Sequence, residues 1–531
     1  TAIPLRLWVK MTQYVRCKME QTKSKYQKIV DIIALVIASG LCIFQLYSAS
    51  FGTWSSFVLS AVHWGVIGSY IILRNPTKLK GAGPVIDWLM IAATVFICIY
   101  QIQMQERMVM SAGFYTNMDV VVGIVAILLV LEIGRRSVGK ILPIICILFL
   151  GYCYFGHYVP GLLKTARFAV KRIAVFIYTS SDGLFGQTLY VSAKYIFLFI
   201  LFGSILELTG AGKWFVDLAY AAVGKSRGGP AQAAVYSSML MGTINGSGAA
   251  NVVTTGTFTI PLMKKIGLKP STAGAVEAVA SSGGQIMPPI MGAAAFLMAE
   301  MVGVQYGEIA MRAIFPALLY FTGIFITVHL EAKRLGLKGI PKDELPKFGP
   351  LFVRQGYLLI PLVALVAMVM MGYTMSRAAI IATALAILVS MPNKETRMNP
   401  TRFINALEAG GKNTLSVAVA CGVAGIIAGV VTMTGLGQLL ISAIVGVAGD
   451  RVIVALFLTM LTCIVLGMGV PTTANYIIMA TTCAPILVNG MGINKIAANM
   501  FVFYFGIVAD ITPPVALAAY AGSAIAKSNP M

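Results

Sequence analysis

Charged residues are scarce in this sequence. Asp, Glu, Lys and Arg make up 11% of the 531 residues, whereas about a quarter of the residues are charged in an ordinary soluble domain. The mean hydropathy is +0.85. Apolar runs of roughly 17 to 25 residues, long enough to cross a ~30 Å hydrocarbon core as helices, recur from Ile29 onward, and no β-type alternation competes with them. The sequence therefore predicts an all-α polytopic membrane protein.

Residues that build metal centres and disulfide frameworks are few and badly spaced. The three histidines, His63, His157 and His329, are scattered along the chain, and no two of them lie at ligand spacing. The eight cysteines include no C-x-x-C pair and lie mostly inside apolar runs. The letters "VGKS" at 223–226 match the end of a phosphate loop, but Ala219 stands where that loop needs glycine. We therefore expect no enzyme, no cofactor and no metal beyond a possible sodium ion.

Acidic residues are fewer than basic ones, 19 against 40, which gives a net charge of +21. The basic residues lie in short loops between apolar runs, so we interpret them as topology signals and lipid contacts and expect no nucleic-acid partner. Residues 1–28 are predicted to form a basic amphipathic segment without a cleavable signal, lying on the cytoplasmic surface with the amino terminus inside. Basic residues after the second and fourth spans place both ends of a four-span unit in the cytoplasm. The first five spans are predicted at 29–47, 55–73, 85–102, 120–133 and 141–158.

One basic cluster contradicts this topology. After the fifth span, Lys164, Arg167, Lys171 and Arg172 are predicted to share one face of an interfacial helix. The count of spans places this helix on the external side, where the positive-inside rule expects few basic residues.

Polar residues interrupt the apolar runs in two related places. "NVVTTGTFTIPLM" begins at Asn251, and the similar "NYIIMATTCAPILV" begins 224 residues later at Asn475. The pair Pro288-Pro289 likewise corresponds to Pro513-Pro514, 225 residues later. Two landmarks in the same order at nearly the same offset predict a duplication in the later part of the chain.

The flanking charges predict that the two copies are inverted. Lys225 and Arg227 precede the first polar stretch, and Lys264, Lys265 and Lys269 follow it, so both flanks favour the cytoplasm. The arms at 231–244 and 250–263 are too short to span comfortably, which predicts a re-entrant helical hairpin. The second copy carries little positive charge, as suits the external side, and inverted repeats are typical of secondary transporters. Its flanking charges are Asp450, Arg451 and Lys495.

The hairpin tips and the broken helices predict a transport site. The tips read "NGSGAAN" at 245–251 and "GMGVPTTAN" at 467–475, and the broken helices read "SSGGQIMPP" and "VADITPP". Non-helical backbone at membrane depth is tolerated only where protein covers it or where it lines a cavity. Free N–H groups at one helix start and free carbonyls at another helix end can hold an anion and a cation together. The competing interpretation is that the small residues only allow close helix packing.

These segments resemble a known family. "MGTINGSGAANVVTTGTFTIPLMKK", "SSGGQIMPPIMGAAAFLMAE" and "FYFGIVADITPPVALAAYAGSAIA" are similar to signature segments of the fused membrane subunit of tripartite ATP-independent periplasmic (TRAP) transporters, TAXI type. The first four spans resemble the small membrane subunit, and the chain from about Lys140 resembles the large one. The divisions predicted are 1–28, 29–139, 140–227, 228–305 (first hairpin and broken helix), 306–412 and 413–531 (inverted second repeat).

The resemblance implies an elevator-type secondary transporter in the bacterial or archaeal inner membrane. Such a protein takes a small organic anion of the dicarboxylate, 2-oxoglutarate or glutamate class from a periplasmic TAXI-type binding protein, driven by H⁺ or Na⁺. Family members continue further, so we also expect a scaffold helix beyond Met531. Competing hypotheses are an organic-anion symporter that needs no binding protein and, less favoured by the broken helices, a channel.

The matching positions give two sets of substrate- and ion-binding residues. Two acidic residues are candidate proton carriers, Asp510 in the second broken helix and Glu277 in the first. The first set comprises Asn245, Ser247, Asn251, Gly283, Gly284, Gln285 and Met287, and the second comprises Gly469, Thr472, Thr473, Asn475, Ala509, Asp510 and Thr512.

Overall fold

The computed structural model describes residues 25–52, 54–77, 83–110, 114–341, 343, 345–392, 396–449, 451–513 and 516–529. These residues form helices and turns without any strand, which confirms the all-α prediction. Nine helices in the described part of the chain are long and apolar enough to cross a membrane. The predicted amphipathic segment lies outside the described residues up to position 24.

The first five predicted spans are helices, each close to its predicted position. Opposite charges join the ends of these helices: Arg136 lies 2.7 Å from Asp87, and Arg107 pairs with Asp119. Asp119 also completes a capping box with Thr116, which satisfies two free N–H groups at a helix start. The five helices are α1 (Lys25–Phe51), α2 (Ser56–Arg74), α3 (Gly83–Met110), α4 (Asn117–Ser137) and α5 (Ile141–Phe155).

The predicted interfacial helix is shorter than its charge pattern indicated. Helix α6 (Val170–Thr179) includes Lys171 and Arg172, but Lys164 and Arg167 precede it, so the four basic residues do not share one helical face. The physical reason is a turn ahead of the helix. Gly161 has a left-handed φ of 76°, and the Thr165 N–H donates back to the Gly156 carbonyl at 3.1 Å.

One long helix forms the centre of the fold. Helix α18 (Pro400–Thr434) has 35 residues, and 83% of its most apolar window is buried. It contacts α1, α2, α4 and α5, and also α8 (Phe197–Leu208), which a π-helical turn joins to α7 (Gln187–Val191). The amino-terminal helices therefore pack on the carboxyl-terminal half of the chain.

The first polar stretch forms a helical hairpin followed by a broken helix. The hairpin turns at Gly246 and Ser247, and the break runs from Gln285 to Gly292. Both features lie where the sequence predicts them, although the hairpin arms are a few residues longer than expected. This first unit comprises α9 (Ala211–Val223), α10 (Gly229–Asn245), α11 (Gly248–Lys265), α12 (Pro270–Gly284) and α13 (Ala293–Val302).

The second polar stretch repeats this order of elements. Its hairpin turns between Gly467 and Thr472, and its broken helix is interrupted by a short 3₁₀ turn, Ala509–Ile511. Helices α14 (Tyr306–Arg334), α15 (Phe348–Gln355), α16 (Ile360–Met370) and α17 (Met375–Ser390) connect the first unit to α18. The second unit comprises α19 (Leu436–Ala448), α20 (Val452–Gly467), α21 (Thr472–Thr482), α22 (Lys495–Val508) and α23 (Leu517–Ala526).

The two units exchange the last parts of their broken helices. Helix α23 of the second unit packs on α11 and α12 of the first, and α13 of the first unit packs on α21 and α22 of the second. The Lys264 ammonium fastens one of these contacts by donating to the Ala526 carbonyl at 2.8 Å. Because of this exchange, the two hairpin tips and the two helix breaks meet in one place.

Candidate functional site

A cavity of about 610 Å³ lies where the two units meet the scaffold helices. The two hairpin tips and the two helix breaks form one side, and α8, α18 and the end of α4 form the other. From the units it is lined by Ile244, Gly246, Ser247, Ala249, Ala250, Thr254, Ile290, Gly292, Ala293, Phe296, Pro471, Thr472, Thr473, Asp510 and Leu517.

Four helices begin at this cavity. The first turns of α11, α13, α21 and α23 all border it. Helix starts carry free backbone N–H groups and a partial positive charge, so each favours an anion. Only α11 among the four has a side-chain cap, in which Ser247 accepts from the Ala250 N–H at 3.4 Å. The converging termini can therefore donate hydrogen bonds to a bound anion.

Asp510 lies at the junction of the two hairpin tips. Its side chain is only 6% exposed, yet it borders the cavity. The Thr472 hydroxyl donates to its Oδ2 atom at 3.1 Å, and the Gln285 amide of the first unit lies beside the same oxygen. This acidic group therefore contacts both predicted sets of site residues.

The Gln285 amide has two possible orientations. In one, Nε2 donates to Asp510 Oδ2 across 3.4 Å. In the other, the nitrogen donates to Thr472 Oγ1 at 2.7 Å and to the Gly246 carbonyl at 3.2 Å, while the oxygen accepts from the Gly248 N–H at 3.1 Å. We favour the second orientation because it forms three shorter hydrogen bonds. It places an amide oxygen against Asp510 Oδ2, a contact that a proton on Asp510 would turn into a hydrogen bond.

The two equivalent asparagines are buried behind the cavity. Asn251 donates to the Ser238 carbonyl at 2.7 Å, and Asn475 donates to the Gly506 carbonyl at 2.8 Å. The Asn475 side-chain oxygen has no hydrogen-bond partner among the described residues, which leaves it available as a ligand for a cation. These amides hold the hairpin tips, and they do not border the cavity.

The remaining predicted residues are more dispersed. At Gly284, an added Cβ would lie 2.5 Å from the Gly242 Cα, so these two glycines allow α10 and α12 to cross closely. The Thr512 hydroxyl donates to the Val508 carbonyl at 2.7 Å. The Asn245 side chain and Pro514 lie outside what the structure describes. Of the predicted site residues, Ser247, Thr472, Thr473 and Asp510 border the cavity. Besides the two asparagines, those that do not border it are Gly283, Gly284, Gln285, Met287, Gly469, Ala509 and Thr512.

The sequence reasoning missed the scaffold side of the cavity. Lys412 and Asn413 of α18 and Ser204 and Glu207 of α8 all line it. Asn413 donates to the Ser204 hydroxyl at 3.0 Å, which ties α18 to α8. Lys412 lies in the membrane-length helix α18, where it pairs with Glu408. A charged residue in such a helix is a candidate for function, and the letters "GGKN" at 410–413 were its signal in the sequence.

Glu277 occupies a separate polar cluster inside the first unit. Its carboxyl is fully buried and lies within hydrogen-bond distance of four hydroxyls on α10, α11 and α12. Ser238 and Thr259 each donate at 2.6 Å, Ser281 donates at 3.2 Å, and Thr255 contacts the same group. No Lys or Arg pairs with it among the described residues, so the hydroxyls alone satisfy this carboxyl.

The cavity is polar and is buried where two helical units meet on membrane-length scaffold helices. This is the architecture of a membrane transporter. Residues 125–531 match the family described as the tripartite ATP-independent periplasmic transporter, DctM component. The chain belongs to this family, whose members are multi-pass membrane transporters and not enzymes. They transport organic acids together with periplasmic substrate-binding proteins.

Three relatives show how the chain aligns. A putative TRAP transporter large permease protein of Haemophilus influenzae is 26% identical over 60% of this chain and 74% of its own length. The C4-dicarboxylate TRAP transporter large permease protein DctM of Pseudomonas aeruginosa is 23% identical over 67% of this chain and 81% of its own length. The isethionate TRAP transporter permease protein DctMQ of Oleidesulfovibrio alaskensis is 22% identical over 62% of this chain, and the match spans 52% of that relative.

Proposed function

We propose that this protein takes up a small organic anion across the inner membrane, driven by an ion gradient and supplied by a periplasmic binding protein. The observation that carries the proposal is the convergence of four helix N-termini on one cavity. These N-termini favour a carboxylate or a similar anion, and Lys412, which pairs with Glu408, borders the same cavity. Two relatives are named for isethionate and for C4-dicarboxylates, both of which are organic anions. A dicarboxylate, 2-oxoglutarate or glutamate fits this chemistry.

Alternating access by an elevator movement is part of the proposal. The two units are joined through the exchanged helices α13 and α23, so they are suited to move together past α8 and α18. The cavity reaches Ser137 and Val138, next to the basic residues that mark the cytoplasmic side. We therefore assign this structure to the inward-facing state. The two copies of hairpin and broken helix, of which only the first is flanked by strongly basic segments, support inverted repeats.

We further assign the chain to the fused TAXI type. The family match begins at residue 125, after α1 to α3 and the first turns of α4. This leaves an additional helical segment of the kind expected for a fused small subunit. The assignment to the TAXI type rests on the signature segments of the two repeats. The matching partner is a TAXI-type binding protein.

Asp510 is the proposed proton carrier. It borders the cavity and contacts the tips of both units, and an acidic residue at membrane depth is a functional candidate. A bound anion and a proton would thus be held by the same elements. Glu277 is the second candidate carrier. Hydroxyl and carbonyl oxygens at Ser247, Thr473 and Asn475 would supply ligands if sodium were the coupling ion.

The test is uptake by proteoliposomes supplied with purified binding protein and labelled dicarboxylate, 2-oxoglutarate or glutamate. We expect accumulation under an imposed pH gradient in sodium-free buffer. Asp510→Asn should remove this proton-driven accumulation, whereas the control Glu308→Gln, at an exposed residue away from the cavity, should retain it. Uptake that follows sodium alone would refute the proton assignment. Robust uptake without binding protein would favour the independent symporter.

A further inference from the structure

The segment between α5 and the end of α6 displays an unusual positive charge. Residues 156–179 contain Lys164, Arg167, Lys171 and Arg172 but no acidic residue. All four basic side chains are exposed. Several other charged residues of the scaffold are paired, such as Arg136 with Asp87. None of these four forms an ion pair within the described part of the chain.

The location of this basic segment is the reverse of what membrane topology favours. Helix α5 begins directly after Arg135, Arg136 and Lys140, which mark the cytoplasmic side. Because α5 spans the membrane in the proposed topology, the segment that follows it faces the periplasm. Basic residues oppose correct insertion there, so a function other than topology has to account for four of them.

The apolar face of α6 is covered by the protein itself, except at Val170, which is half exposed. Ile173, Ala174, Ile177 and Tyr178 are buried, and the Tyr178 hydroxyl donates to the Ile97 carbonyl of α3 at 2.6 Å. An added Cβ at Gly123 of α4 would lie 2.6 Å from the Ala174 carbonyl oxygen, so α4 and α6 cross closely. Interfacial membrane helices bury their apolar face in lipid. In α6 that face is already used, which leaves the basic face for another partner.

The basic segment also contacts other parts of the protein. The Arg172 guanidinium stacks over the buried Phe168 ring, 5.4 Å from its centre. The Gly161–Leu163 turn ahead of the helix contacts α19 of the second unit. A partner bound at this surface would therefore be next to both the scaffold and an element of the second unit.

We propose that Lys164, Arg167, Lys171 and Arg172 form the docking surface for an acidic face of the periplasmic substrate-binding protein. This inference rests on the proposed function, which requires a soluble partner on the periplasmic side. Complementary exposed charges steer two proteins into the correct encounter and raise the association rate, more strongly at low salt. We call these four residues the basic docking surface.

The test measures uptake as the binding protein encoded with this chain is titrated at fixed substrate. Reversing two charges with Lys171→Glu and Arg172→Glu should raise the half-saturating concentration of binding protein about tenfold at low salt, because attractions become repulsions. The maximal rate should stay unchanged, which also shows that the variant is folded. The control pair Lys333→Glu and Lys338→Glu reverses exposed charges on the opposite side and should have no effect.

Two further measurements separate the alternatives. For the wild-type chain, the half-saturating concentration should rise as salt increases from 50 to 300 mM, because the Debye length falls to less than about 8 Å. The docking proposal would be refuted if the charge-reversal variant had the same half-saturating concentration of binding protein as wild type. It would also be refuted if uptake by the variant were impaired only in vesicles containing anionic lipid. Wild-type uptake that ignores the binding protein would instead refute the proposed function itself.

Discussion

Two substitutions of Glu277 distinguish a neutral buried carboxyl from a charged one. The group is fully buried, and no cation pairs with it among the described residues. Burying an unpaired charge is costly, so we expect this carboxyl to be protonated in the folded protein. The Thr255 hydroxyl can donate to the Asn251 carbonyl at 2.8 Å, which leaves its oxygen free to accept the Glu277 proton.

The expected magnitudes follow from the four hydroxyls around the carboxyl. After Glu277→Ala, the Thr255 and Thr259 hydroxyls retain backbone acceptors at 2.8 and 3.1 Å, whereas Ser281 loses the acceptor described for it. One unpaired buried hydroxyl plus the resulting cavity should lower the free energy of unfolding by about 2–5 kcal/mol. Glu277→Gln keeps the volume, one acceptor and a donor toward Thr255, so its cost should stay within about 1 kcal/mol.

The assay is equilibrium unfolding in mixed detergent micelles, with wild type and both variants compared at the same pH. Retention of stability in Glu277→Gln together with loss in Glu277→Ala would support the neutral carboxyl. A glutamine variant as unstable as the alanine variant would refute the reasoning, because it would mean that the hydroxyls stabilise a negative charge. Ser204→Ala on α8 is a suitable control, since it removes one hydroxyl bond outside this cluster.

Three other predictions concern the tips, a helix crossing and a scaffold cap. Ser247→Ala and Thr473→Ala should each abolish uptake in proteoliposomes and leave the protein folded, and wild-type rates would refute the cation-ligand assignment. Gly242→Ala should lower stability by about 1–3 kcal/mol through overpacking, because its Cβ would lie 2.5 Å from the Gly284 Cα; an unchanged melting temperature would contradict this. Asp119→Ala removes a capping box and the pair with Arg107 and should cost about 2–4 kcal/mol in the same assay, whereas a loss under 1 kcal/mol would show that the cap is dispensable.

Local sequence signals located the first five spans, the first hairpin and both helix breaks. The apolar runs predicted the first five spans because helix length follows from membrane thickness. Glycine and proline marked the breaks near Gly284 and Pro288, because they remove side-chain support or a backbone donor. The exception was Lys164 and Arg167, where charge periodicity indicated a helix but a turn at Gly161 prevents it. Periodicity alone does not register such a turn.

The sequence by itself determined the helical class, the membrane setting and the two polar tips, since each depends on residues that are neighbours in the chain. The tertiary structure decided which of those residues meet. It placed Gln285 of the first unit beside Asp510 of the second, 225 residues apart, and it brought Lys412 to the same cavity. The physical reason is the exchange of α13 and α23 between the units, a long-range packing arrangement that local patterns of hydrophobicity and charge do not specify.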